Sequence, residues 1–130
     1  MKPYTAHVDT FARDHLPRRE QWPELIFELP ELQFPVRINC AAELLDAWVE
    51  RGQGERLCVQ GHDIKGGVRW SYAQLLAEAN RMAHVLVEDM GVVPGNRVLM
   101  RGANTPQMAA CWFAIQKAGA IAVATMPLLR

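Results

Sequence analysis

Residues 97–125 read RVLMRGANTPQMAACWFAIQKAGAIAVAT, and the fold is decided by how they are divided. Val98, Leu99 and Met100 form a short apolar run that reads as a buried strand. Thr105 followed by Pro106 is a helix start: a hydroxyl to cap the first turn, then a proline where no amide hydrogen is needed. The helix is expected to run to about Ala118 and to end at Gly119. Residues 121–125, IAVAT, are apolar on both faces, as strands of a parallel sheet are. Strand, helix and strand in this order make a βαβ unit, whose crossover is expected to be right-handed.

Working back toward the N-terminus, Ser71 and Gln74 have the spacing of a capping box. An apolar stripe follows through Tyr72, Leu75, Leu76, Ala79, Met82, Ala83, Leu86, Val87 and Met90, and Gly91 closes the helix. His84 lies off that stripe and is expected in solvent. Before it, Leu57 and Val59 face Val68 and Trp70 across a Gly-rich stretch, which predicts a hairpin. Asn39 is a helix cap for residues 40–51, whose apolar face is expected to hold Leu44, Leu45, Trp48 and Val49. The predicted fold class is therefore α/β, a partial open sheet built from a hairpin and a βαβ unit. Such a sheet has unprotected edges, so the strand at residues 121–125 is expected to sit inside a larger sheet. Residues 1–38 carry five prolines, Pro3, Pro17, Pro23, Pro30 and Pro35, and read as an irregular arm with a short helix over residues 9–15. The division is a proline-rich arm, residues 1–38, and an α/β unit, residues 39–130.

Composition narrows the function. Lys plus Arg number 14 and Asp plus Glu number 14, so no basic surface for nucleic acid or anionic lipid is expected. No apolar run approaches the ~18 residues of a membrane span, and the N-terminus has no signal-peptide core. The three cysteines, Cys40, Cys58 and Cys111, are far apart and read as buried thiols of a cytoplasmic protein. GVVPGNR, residues 91–97, fits neither phosphate-binding fingerprint and reads as a turn. GHDIKGG, residues 61–67, reads as a hairpin loop. Asn104 is placed to cap or brace the turn after the first strand, and Arg97 to pair with an acid of the long helix.

Residues 70–129 as a whole resemble the N-terminal region of the adenylate-forming superfamily: acyl- and aryl-CoA synthetases, luciferases and peptide-synthetase adenylation domains. The resemblance is carried by Tyr72 and Leu75; by Asn80, Arg81 and Ala83; by Gly91, Val92, Gly95, Arg97 and Val98; by Asn104; and by Lys117, Ala118, Gly119 and Ala120. Gln74, Asn96 and Met126 depart from it, where the family usually has an acid, Asp and Asn. The opening YTAHVDTFARDHLPRREQWPEL and the closing ATMPLLR are most similar to 2-aminobenzoate–CoA and benzoate–CoA ligases. The resemblance implies the N-terminal part of the large domain of an ATP-dependent aryl-CoA ligase. That enzyme would use an aromatic carboxylate, ATP, Mg²⁺ and coenzyme A, and would pass through an acyl-adenylate. The family's phosphate loop, ribose-binding acid and mobile lysine domain have no counterpart among these 130 residues, so the chain alone is expected to be inactive and structural. In some members an arginine follows the proline after the last strand and reaches the CoA phosphates. Leu128 holds that place here, which leaves Arg130 as the candidate cofactor contact, with no candidate catalytic residue. The alternative is a stand-alone interaction module that forms a homodimer through its strand edge and apolar faces.

Overall fold

The computed structural model describes residues 5–63 and 66–128. Two helices at the centre serve two small sheets. The hairpin joins β1 (Leu57–Asp63) to β2 (Gly66–Ser71), antiparallel, with Val59 opposite Trp70 and Gly61 opposite Val68. The second sheet pairs β3 (Arg97–Arg101) with β4 (Ile121–Thr125), parallel and in unbroken register from Arg97 opposite Ile121 to Arg101 opposite Thr125. The hairpin and the βαβ unit thus keep separate two-stranded sheets instead of sharing one.

Besides the one-turn α1 (Phe11–Asp14), the central helices are α2 (Tyr72–His84) and α3 (Pro106–Lys117). The capping box forms as its spacing predicts. The Gln74 amide donates to Ser71 Oγ at 3.3 Å, and the Ser71 amide donates to Gln74 Oε1 at 2.9 Å. Thr105 caps α3 by accepting from the Met108 amide at 3.3 Å. Each helix buries a row of small and aliphatic side chains. Leu45, Leu75, Ala79 and Ala110 make one core cluster, under Cys58, Val59 and Trp70 of the hairpin. Met100, Ile115 and Ala120 make the other, under the parallel pair. Alanines at the α2–α3 contact let the two backbones approach closely, so the pair can present a face to each sheet.

Three helical expectations are corrected. The segment after Asn39 is wound wider than an α-helix, with π-type turns at Ala42–Asp46 and Val49–Gln53. Wider winding rotates each side chain from its expected place, so Leu45 is fully buried whereas Leu44 is 53% exposed. The long helix also finishes in a π-type turn, Val85–Asp89, where the Met90 amide donates to the Val85 carbonyl at 3.0 Å. Past that turn the apolar stripe faces open space: Val87 is exposed and Met90 is 68% exposed. Gly91, at φ +65°, then ends the helix in a conformation other residues adopt at a cost. The cysteines are not buried as expected either. Cys40 is exposed and Cys58 and Cys111 are half-buried.

The arm is fixed at its two ends. Near its start, the Val8 and Asp9 amides both donate to the Pro94 carbonyl at 2.9 Å. At its finish, Asn39 Oδ1 accepts from the Ala41 amide at 3.0 Å while its Nδ2 donates to the Gln116 carbonyl at 2.8 Å. Between these ends, residues 14–38 are exposed throughout, with short 3₁₀ turns at Arg19–Gln21 and Pro30–Leu32.

Candidate functional site

The carboxyl ends of parallel strands are where open α/β sheets present groups to ligands, because helices start and loops diverge there. In this chain that end gathers Arg101 from β3, the Gly102–Thr105 turn, Thr125 from β4, and Pro127. It is closed by its own side chains. Arg101 donates through Nη2 to the Pro127 carbonyl at 3.0 Å, and Thr125 Oγ1 lies 3.5 Å from the Met100 carbonyl. Thr105 supplies the helix cap, as its place before Pro106 predicts, and Asn104 sits exposed on the turn. Arg130, the candidate cofactor contact, lies outside the described residues, two positions beyond an exposed Leu128. Arg101 was not singled out by sequence reasoning. An arginine closing a short apolar strand just before a glycine was the available signal.

The residues that carry the family resemblance mostly hold the frame. Arg97 pairs with Asp9 of the arm and not, as expected, with an acid of the long helix. The reason is geometric: Arg97 opens β3 beside the 93–96 turn, on which the arm lies, and its guanidinium sits 4.6 Å from the centre of the Phe11 ring. Lys117 pairs with Asp46, tying the end of α3 to the π-type turn at Ala42–Asp46, with 18% and 26% of the two side chains exposed. Arg81 pairs with Glu78 one turn earlier on α2.

The Gly-rich turn at residues 91–97 does not fit a nucleotide phosphate. At Gly95 (φ +94°) an added Cβ would overlap the Asp9 carbonyl oxygen and come within 2.8 Å of His7 Cβ, so the arm already fills the concavity. The group lying against the turn is moreover a carboxylate, held ionised. The Phe11 amide first and the Asn96 side chain second pull the Asp9 pKa below its ordinary value; desolvation opposes them, and the hydrogen bond and charge of the Arg97 guanidinium add to the lowering. Among the described residues no group of three or more His, Cys, Asp or Glu side chains is placed to hold a metal ion. The hairpin loop GHDIKGG falls partly outside the described residues, at positions 64 and 65.

One open apolar groove of about 470 Å³ lies between α2, α3 and β3, lined by Met82, Val85, Leu86, Met100, Met108 and Cys111. Cys111 Sγ is 3.5 Å from Met82 Sδ there. Burial pushes the Cys111 thiol up in pKa, and it does the same for Cys58 against an opposing hydrogen bond with Tyr72. A thiol with raised pKa is a poor nucleophile at neutral pH, and both act as packing groups. No helix among the described residues is long and apolar enough to cross a membrane.

A hairpin and a parallel βαβ unit sharing a helix pair is the architecture of the N-terminal portions of adenylate-forming enzymes. The profile of the AMP-binding enzymes matches residues 45–130, and the chain belongs to that family. Acetyl-coenzyme A synthetase of Deinococcus radiodurans is 32% identical over 106 residues, which are 78% of this chain and 16% of that protein. ATP-bound MatB of Rhodopseudomonas palustris superposes with a TM-score of 0.60 at 26% identity, over 71% of this chain and 17% of that one. The anthranilate CoA ligase AuaEII, in complex with anthranoyl-AMP, shares the fold at a TM-score of 0.62 and 22% identity, over 75% of this chain and 17% of that one. The chain spans between 8% and 16% of the length of the curated relatives it matches.

Proposed function

We propose that this chain is the N-terminal part of an acid–CoA ligase working through an acyl-adenylate, and that its own task is structural. The observation that carries the reading is the family match over residues 45–130, on a frame in which the signature residues Arg97 and Lys117 are each taken up in an ion pair, with Asp9 and Asp46. In that reaction a carboxylate and ATP, with Mg²⁺, give an acyl-adenylate and pyrophosphate. The thiol of coenzyme A then displaces AMP. The βαβ unit and the hairpin would supply a wall of the large domain, and the proline-rich arm, residues 1–38, would be a separate attachment. For the acid we favour an aromatic carboxylate, 2-aminobenzoate or a near relative. That choice is supported by the opening and closing stretches of the sequence, not by the shared fold. In the same reading the enzyme is cytoplasmic and Arg130 reaches a phosphate of CoA.

The test is carboxylate-dependent exchange of pyrophosphate into ATP, run on the 130-residue chain and on the protein encoded when the reading frame is followed past codon 130. The longer protein is expected to show exchange with 2-aminobenzoate or benzoate, and the chain alone none. Exchange by the chain alone would overturn the structural role, and a preference for acetate would overturn the aromatic one. Arg130→Ala is expected to raise KM for CoA severalfold while leaving exchange unchanged. A reading frame that stops at codon 131 would favour the other reading, a self-associating module. The exposed Leu99 and Val123 on the open face of the parallel pair supply the surface for it.

A further inference from the structure

We propose that residues 7–11 are a polar latch fastening the N-terminal arm to the turn before β3, and that the neutral side chain of Asn96 is what lets it close. The backbone part is a double contact: the Val8 and Asp9 amides share the Pro94 carbonyl. Gly95 allows it, since only a residue without Cβ leaves room for the Asp9 carbonyl and His7. The side-chain part centres on the Asp9 carboxylate. It accepts from the Phe11 amide at 2.9 Å, from Asn96 Nδ2 at 2.8 Å and from Arg97 Nη1. Asn96 is oriented by its own turn, because its Oδ1 accepts from the Val93 amide at 3.0 Å. Its amide nitrogen is therefore turned toward the arm. An aspartate at position 96 would keep the bond to Val93 but aim a second carboxylate oxygen at Asp9, replacing a donor with a like charge. Asn96 stands where the family pattern usually has Asp, and in this chain the arm's own carboxylate accounts for the change.

The latch has a consequence for the exposed stretch behind it. Trp22, Leu25, Ile26, Phe27, Leu29 and Phe34 are all exposed, and the chain that bears them is fixed by the latch at one end and by Asn39 at the other. Closing the latch turns a free tail into a strap held at both ends, at a loop-closure cost that grows only slowly with length.

The experiment is amide hydrogen exchange on the 130-residue chain, followed at Val8 and Asp9 with the amides of α3 as the internal reference. Asn96→Asp is expected to speed exchange at Val8 and Asp9 at least tenfold and to leave α3 unchanged. The exchanged pair, Asp9→Asn with Asn96→Asp, keeps the net charge and restores a donor facing an acceptor between the two side chains, but gives up the bond that Arg97 makes to the same Asp9 oxygen. It is expected to slow both amides at least threefold relative to Asn96→Asp without reaching the parent. No acceleration in Asn96→Asp, or an exchanged pair as fast as the single variant, would overturn the latch. If Asn96→Asp loosens α3 as well, Asp9→Ala takes its place, because Asp9 lies on the arm and its side chain bonds to Phe11, Asn96 and Arg97. Release of Val8 with α3 still protected then supports the latch, and unchanged protection overturns it.

Discussion

Lys117 and Asp46 show how much a single contact can fix. They are 71 residues apart in sequence and pair at a partly buried junction. The second carboxylate oxygen of Asp46 is buried with no hydrogen-bond partner among the described residues. Replacing Lys117 by Met would leave that carboxylate with neither charge partner nor donor. The expected loss is about 1–3 kcal/mol in urea unfolding, and Lys117→Met with Asp46→Leu is expected to recover most of it, since removing both partners spares the uncompensated charge. A second residue-scale prediction concerns pH. The Asp9 pKa lies below 3.8 in the folded chain because of Phe11, Asn96 and Arg97, and among these only Arg97 is charged, with His7 alongside on the arm. A lowered folded pKa means that the contribution of Asp9 is present above the unfolded value and is lost as pH falls through the folded one. The latch is therefore expected to stay shut from neutral pH down to about pH 4 and to open below it, read as Val8 amide exchange. Opening near pH 6 would mean that a group other than Asp9 controls it. Neither pair was legible in the sequence. Nothing local marks Asp9 for Arg97 or Asp46 for Lys117, whereas Ser71 with Gln74 and Thr105 with Pro106 announce themselves within three residues.

At the scale of elements, the legible parts are those whose causes are local. The starts of α2 and α3, the glycine that closes the long helix after its π-type turn, and both strands of the parallel pair follow from caps, glycines and apolar periods. The errors come from packing. The sequence stripe on the long helix runs on to Val87 and Met90, but the structure supplies packing partners only for its earlier turns, so the last residues stay exposed. Likewise the π-type winding of Ala42–Asp46 answers to tertiary contacts and turns Leu44 away from the core. These differences predict a contrast. Leu75→Ala, at a fully buried site, is expected to cost about 2–5 kcal/mol. Met90→Lys and Leu44→Lys are expected to change stability by less than about 0.5 kcal/mol, although all three positions look equally apolar in sequence. Ser71→Ala, which removes one half of the capping box, should fall between them at about 1 kcal/mol. Denaturant midpoints for the four variants would test the ordering. A large loss in Met90→Lys would mean that the end of the helix is packed after all.

For the molecule as a whole, the parallel pair is the part least at rest. Parallel strands are ordinarily covered on both faces, because their connections lay helices over them. Here α2 and α3 cover one face through Met100 and Ile115. The other face shows Leu99, 64% exposed, and Val123 to solvent. Among the described residues β3 and β4 pair only with each other, so each also has an unpaired edge. An apolar face beside two open edges is a surface that associates without a fixed stoichiometry, because several arrangements of a second copy cover it about equally well. The 130-residue chain is therefore expected to sediment with an average mass that rises steadily with concentration. Leu99→Lys places a charge at the middle of the exposed face, on a side chain that the two core clusters do not use. It is expected to bring the average mass close to that of one chain at the same concentration, with the helical circular dichroism unchanged. A single dimer whose mass does not depend on concentration, and which Leu99→Lys leaves intact, would mean that a different and specific surface joins the copies. The sheet face would then have to be satisfied within each chain, against the exposure of Leu99 and Val123.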